Sequence, residues 1–325
     1  VVEKPHGRRR ALQKDRSFYF DGGTWLPALG IACSIASLHA ARLRAVMPAD
    51  ASPRIVSDSQ PANLIGVFDS GVGGLSVLRA LRQALPSAPL LYVADSANAP
   101  YGERSDAFIA DRSQRIASHL LAQGAQMLVV ACNTATAVAV ASLRERWLEL
   151  PVVAVEPGIK PAVAASRNGR IGVMATPATL RSDKFLKLLT AHGAGAQVNL
   201  IPCPGLAALI EQGHSQDAAI SKLLETLCAP LVEAKVDTVV LGCTHYPFVS
   251  AQIQAALGRD VQLIDTADAV ARQAVRLFAE KQLQSSEASQ ETAVRLQTTG
   301  NVEHLKQLAQ NWLPFDCVVS PAVGL

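Results

Sequence analysis

Aromatic side chains are scarce, at 5% of 325 residues, although 49% of the chain is hydrophobic. Ala and Val carry much of the apolar content, so the core is built from small and branched side chains. No CxxC pair occurs among the six cysteines at 33, 132, 203, 228, 243 and 317. A secreted disulfide framework has denser, more regular spacing, so a reducing, cytoplasmic setting with free thiols is the better reading. The net charge of +3 gives no nucleic-acid footprint either. Residues 1–60 hold nine Lys/Arg against five Asp/Glu, while the remainder holds 21 basic against 22 acidic residues. No lysine occupies a strand-end motif in the manner of a pyridoxal phosphate Schiff base.

The first sixty residues read unlike the rest. RRR at 8–10 precedes TWLPALGIACSIASL at 24–38, which resembles a signal peptide. Asp15 and Asp21 interrupt the join, and the apolar run is too short to span a bilayer. The chain starts with Val, the first Met is Met47, and a polar lead-in follows. The expectation is that residues 1–46 are an upstream translation artefact, with a signal or regulatory extension as the alternative. N-terminal sequencing of the natively expressed protein decides it, since a chain starting near Val1 excludes the artefact.

From residue 64 short apolar runs alternate with helix-length amphipathic segments. Strands are predicted at 64–69, 90–95, 127–132 and 151–156, with helices at 76–85, 105–122 and 136–148. The rhythm restarts with strands at 171–176, 197–203, 238–243 and 261–265. Helices are predicted at 177–189, 206–213 and 217–234, and from about 247. A helix at 266–281, a polar linker QSSEASQE, the run VRLQTTG and a helix at 301–313 close the chain and are expected to return to the first half. Continuous Val/Ile/Leu runs between helices indicate parallel sheets buried on both faces. The predicted fold class is α/β, with two doubly wound lobes.

Ligands of open parallel sheets sit beyond the carboxyl ends of the strands. Asp69, Ser70, Asp95, Cys132, Thr176 and Cys243 all fall there. Cys132 and Cys243 each end an apolar run, are followed by Thr within two residues, and precede a predicted helix. A thiol at a helix N-terminus has a lowered pKa; a buried cysteine is otherwise a small apolar residue. Cys203, Cys228 and Cys317 lack this setting and are assigned to the core, and Cys33 to the leader. DSGVGG at 69–74 invites a dinucleotide reading, but an anion at Asp69 opposes a pyrophosphate. The better reading is that Gly71, Gly73 and Gly74 let the backbone approach a small ligand, while Asp69 pairs with a cation or accepts a proton. APYG at 99–102 is a turn or a ligand-lining loop. His245 forms a thiol–imidazole pair with Cys243 or, less in keeping with usual ligand spacing, a zinc site with Cys132 and Cys243. Glu211 ends a short helix and is placed to support His245 or Cys243.

Together, IGVFDSGVGGLSVLRAL, YVADSANAPYGERS, VVACNTATAV, RIGVMATPATLRSDKF, CPGLAALIEQG and VVLGCTHYPF resemble the glutamate racemases of the cofactor-independent aspartate/glutamate racemase superfamily. The resemblance runs from about 64 to 280 and more weakly to the C-terminus. Residues 1–60 lie outside it, as a disordered or artefactual leader. It implies two αβ lobes related by pseudo-twofold symmetry, 61–157 plus 266–325 and 158–265, with the active site in the cleft between them. It implies catalytic roles for Cys132 and Cys243, assisted by Asp69, His245 and Glu211. The substrate contacts it implies are Asp69, Ser70, Pro100, Tyr101, Gly102, Asn133, Thr134, Thr176, Thr244 and His245. No cofactor or metal is implied, and the partner is glutamate, not nucleic acid or membrane; a homodimer is left open. The implied activity is interconversion of L- and D-glutamate for peptidoglycan. A racemase of aspartate or another small acidic substrate, a cysteine hydrolase using one Cys–His pair, and a non-catalytic amino-acid binder are the alternatives. The hydrolase leaves one of the two strand-end thiols unexplained, and a binder needs no paired thiols.

Overall fold

The computed structural model describes residues 63–214, 217–281, 283 and 294–325. The leader and the QSSEASQE linker of the sequence reading lie outside these residues. Two all-parallel sheets organise the chain. The first contains β1 (Leu64–Asp69), β2 (Leu90–Ala94), β3 (Ala125–Val130), β4 (Val152–Ala154), β9 (Val294–Thr298) and β10 (Cys317–Pro321), in the order β10-β9-β2-β1-β3-β4. The second contains β5 (Arg170–Ala175), β6 (Gln197–Pro202), β7 (Thr238–Gly242) and β8 (Gln262–Ile264), in the order β6-β5-β7-β8.

Each sheet is buried on both faces, which is why its central strands lack an apolar–polar alternation. All six residues of β1 are buried. Ile65 and Val67 join one cluster with Leu78, Ala274 and Phe278, from α1 (Leu75–Ala84) and α10 (Ala267–Glu280). Leu64 and Phe68 point the other way, to Ile116 and Leu120 of α2 (Asp106–Ala122) and Leu143 of α3 (Asn133–Arg146). Burying a side chain the size of Phe68 is worth about 1.5–3 kcal/mol. The second sheet repeats this division. Val239 and Leu241 face α7 (Leu206–Glu211), α8 (Ala218–Glu233) and α9 (Ser250–Leu257). Ile171, Val173 and Val240 face α4 (Ile159–Ala165) and α6 (Asp183–His192).

Several details depart from the sequence reading, among them α4, which it did not predict. The helix predicted over 177–189 is two helices, α5 (Pro177–Arg181) and α6. Ser182 is extended (φ −70°, ψ 141°), and its Oγ accepts from Phe185 N at 3.2 Å, so it caps a new helix instead of continuing the old one. The helix predicted from 247 begins as a 3₁₀ turn, Tyr246–Val249, before α9. The chain also ends on an edge strand, β10, after α11 (Val302–Trp312). No helix among the described residues is long and apolar enough to cross a membrane.

Candidate active site

The carboxyl ends of the two sheets meet across side chains. Thr244, after β7, donates its hydroxyl to Oδ2 of Asp69 at the end of β1, at 3.3 Å. Ser76 Oγ donates to the Thr244 carbonyl at 3.1 Å, and Thr134 and Thr176 share a hydrogen bond of 3.1 Å. Val72 N–H reaches across to Glu211 Oε2 at 2.8 Å. Of the strand-end residues singled out in the sequence, all but Asp95 converge on one place.

Cys132 is the N-cap of α3, and its sulfur accepts from Ala135 N at 3.4 Å. Its thiol donates to Ser70 Oγ at 3.6 Å. Asp69 is fully buried, with Oδ1 accepting from Ser70 N at 2.7 Å and Oδ2 from Gly74 N at 2.6 Å. Burial pushes the Asp69 carboxyl above its usual range, against the opposing pull of His245. Sequence reasoning expected the helix start to lower the Cys132 pKa, and the structure corrects this. Burial, and then the neighbouring Asp69 charge, push this thiol well above its ordinary value, outweighing the Ala135 and Ser70 hydrogen bonds. A dipole effect worth a fraction of a kcal/mol at an exposed terminus does not overcome removal from water.

Cys243 sits in a different setting. It precedes a one-turn 3₁₀ helix, not an α-helix N-terminus, and its sulfur lies 3.7 Å from His245 Nδ1. His245 Nε2 lies 2.8 Å from Glu211 Oε2, in an ion pair with both side chains nearly buried. Burial works against the imidazolium, but the hydrogen bonds to Cys243 and Glu211 win, and the His245 pKa rises well above its ordinary value. A doubly protonated ring donates from both nitrogens, to the sulfur on one side and the carboxylate on the other. Two glycines of DSGVGG, Gly71 and Gly73, serve this half of the site, while Gly74 lies against Asp69 and Tyr92. A Cβ at Gly71 would lie 2.1 Å from Glu211 Oε2, and one at Gly73 2.3 Å from His245 Nδ1. These glycines bring the loop against the imidazole and carboxylate, where the sequence reading had them face a ligand.

Pro100 precedes the 3₁₀ turn Tyr101–Glu103, in which Tyr101 and Gly102 are buried and Gly102 lies against the Thr176 side chain. Thr176 caps α5, accepting from Thr179 N at 3.2 Å. Asn133 is buried, and its Oδ1 has no hydrogen-bond partner among the described residues. Asp95, read as a strand-end candidate, is committed elsewhere: Arg112 holds it with two bonds, of 2.7 and 2.9 Å, and Tyr101 OH, Asn98 and Thr299 also donate to it. Arg112 escaped the sequence reading, but it had a signal, because it falls on the apolar stripe of α2 between Ile109 and Ile116. Tyr92, whose hydroxyl donates to the Gly71 carbonyl, was also missed. Cys203 and Cys228 are buried core thiols, pushed up by burial to about 12 and about 11.

The arrangement pairs two buried thiols with separate means of managing a proton, one through a hydroxyl and a carboxyl, the other through an imidazolium. A family model described as Asp/Glu/hydantoin racemase matches residues 65–274. The chain is 50% identical over 244 residues to the glutamate racemase of Pseudomonas paraeruginosa, covering 75% of this chain and 91% of that one. Among solved structures it is similar to glutamate racemase isoform RacE1 of Bacillus anthracis (32% identity, TM-score 0.72, covering 80% and 97% of the two chains). It is also similar to Escherichia coli glutamate racemase in complex with L-glutamate and the activator UDP-MurNAc-ala (31%, TM-score 0.71, 80% and 98%). The chain belongs to the Asp/Glu/hydantoin racemase family, in the branch of the glutamate racemases.

Proposed function

We propose that this chain interconverts L- and D-glutamate without a cofactor, with Cys132 and Cys243 as the two proton-carrying groups on opposite faces of Cα. The observation that carries this reading is the pair of buried thiols at the strand ends of two facing sheets. One of them donates to Ser70, and the other lies beside an imidazole. Inversion removes the Cα hydrogen from one face and delivers a proton to the other. One base on each face does this without turning the substrate over.

In this reading the thiolate takes the Cα proton while the opposite thiol gives its own to the other face, so the two sulfurs exchange states in each turnover. The raised Cys132 pKa favours the proton there at rest. The His245 imidazolium offers Cys243 the donor that a thiolate takes. Glu211 holds His245 in its charged, oriented form. Asp69 orients Ser70 and, through it, the Cys132 thiol. The first N–H groups of α3, with Ser70, Asn133, Thr134 and Thr244, hold the α-amino and α-carboxylate groups and the charge that develops on the latter. The unpartnered Asn133 Oδ1 suits an ammonium donor. Pro100, Tyr101, Gly102 and Thr176 line the same substrate from the junction between the sheets. We place the lobe boundaries between residues 157 and 158 and between 265 and 266. Closing the lobes excludes water from the carbanion-like state. The product supplies D-glutamate for peptidoglycan, in a cytoplasmic enzyme that works alone or as a homodimer.

The test is circular dichroism of L-glutamate with purified protein in D₂O. Ellipticity is expected to decay to zero with one deuterium entering Cα and no added cofactor. Retained optical activity with no exchange overturns the reading. Faster turnover of aspartate than of glutamate moves it to the other acidic substrate.

A further inference from the structure

Glu211 belongs to α7, beside the second sheet, yet its carboxylate is gripped from segments of the first. Oε2 accepts from Val72 N–H at 2.8 Å as well as from His245, and Oε1 accepts from Ser96 Oγ at 2.7 Å. On the same residue, the backbone carbonyl accepts from His304 Nε2 of α11 at 2.8 Å. Among the described residues Ser96 is the one neutral side chain that holds the carboxylate, and neither the catalytic nor the substrate-contacting assignment above includes it.

The segment that presents Ser96 is itself tied down. It opens the 3₁₀ turn Ser96–Asn98 directly after Asp95, which Arg112 holds by two bonds. Ala97 N donates to Thr299 Oγ1 at 3.2 Å, and Thr299 donates to Asp95 Oδ1 at 2.9 Å. A hydroxyl on such a support can fix the plane of a carboxylate on another element. Without it Oε1 loses this donor, the carboxylate is free to turn toward water, and its hold on His245 loosens.

We propose that Ser96 is a positioning residue: its hydroxyl, on the first sheet's side of the junction, sets the Glu211 carboxylate against His245. The proton-handling group beside Cys243 is then complete only when the two sheets' ends are together. The proposal rests on the roles given above to Glu211 and His245. Ser96 acts through Glu211, so its loss weakens turnover and leaves substrate affinity nearly intact.

The test compares Ser96→Ala, Ser96→Thr and Glu211→Gln, alone and with Ser96→Ala in the Glu211→Gln background, by racemisation kinetics of glutamate across pH. The groups facing the Glu211–His245 pair are Asp69 at the end of β1, Tyr92 on β2, Cys243 after β7 and His304 on α11. Ser96→Ala is expected to lower kcat by about tenfold, the scale of a hydrogen bond to a charged group, with KM within about twofold. The limb of the pH profile that follows His245 is expected to move to lower pH. Ser96→Thr restores the hydroxyl and most of the rate, and Ser96→Ala adds little once Glu211 is Gln. Wild-type kcat with an unmoved limb in Ser96→Ala, a change confined to KM, or no rescue by Thr overturns the proposal. Wild-type kcat in Glu211→Gln overturns the reading of Glu211 itself, and the Ser96 proposal with it. A slow Glu211→Gln beside an unaffected Ser96→Ala overturns the Ser96 proposal alone.

Discussion

The two cysteine-tipped strands look alike in sequence and differ in the structure. Cys132 caps a 14-residue helix and donates to a serine hydroxyl beside a buried carboxyl. Cys243 precedes a single 3₁₀ turn and lies against an imidazole that is ion-paired to a glutamate. One setting disfavours the anion through burial and a nearby negative charge; the other supplies a cation. A reaction that needs one thiol and one thiolate at the same moment gains from that inequality. Two identical environments would leave the proton's place undetermined.

The comparison breaks most sharply at the sulfurs. Cys132→Ser and Cys243→Ser are each expected to lower kcat by at least about 10³-fold, within the span of general acid–base contributions. Decay of L-glutamate ellipticity measures this, and full activity in either variant refutes a two-base site. The next effect distinguishes the halves. His245→Asn removes the cation and is expected to cost about 10² in kcat, whereas Ser70→Ala removes one hydroxyl and costs about tenfold. Kinetics of the two variants side by side check this, and equal losses erase the asymmetry.

A third prediction concerns stability. The His245 pKa is higher in the folded protein than in the unfolded chain, so the folded state binds more protons in the window between the two values. Its stabilisation is fully present below the unfolded value of about 6.5 and is lost as pH rises through the folded value. Urea unfolding of wild type and His245→Asn across this range is expected to show the wild type losing its advantage as pH rises; parallel curves contradict the raised pKa. The smallest effect on turnover is expected from thiols outside the site. Cys228→Ala and Cys317→Ser keep kcat within about twofold and cost about 1 kcal/mol or less of stability, measured by the same two assays.

Much of this was legible in the chain because burial writes itself into local pattern. LIGVFD and TVVLGC read as strands since both faces of each sheet are covered, and Asp69, Cys132, Thr176 and Cys243 read as site residues since strand ends carry ligands in such sheets. Ser182 hid inside an amphipathic run, because its extended backbone depends on a capping bond rather than on hydrophobic period. Glu211 was legible as a helix-end acid placed to support His245 or Cys243, but its hold by Val72 and Ser96, more than a hundred positions away, was not. The purpose of Gly71 and Gly73 was also hidden, because the atoms they make room for belong to Glu211 and His245.

By itself, then, the sequence determined the alternation of strands and helices, the two parallel sheets and the positions of the thiols, all of which follow from short-range periodicity and turn chemistry. Only the tertiary structure decided what surrounds each thiol. A pKa depends on burial and on charges a few ångströms away. For Cys132 the burial outweighs the helix N-terminus, and beside Cys243 the fold sets the Glu211–His245 pair that the loop after β1 helps to hold.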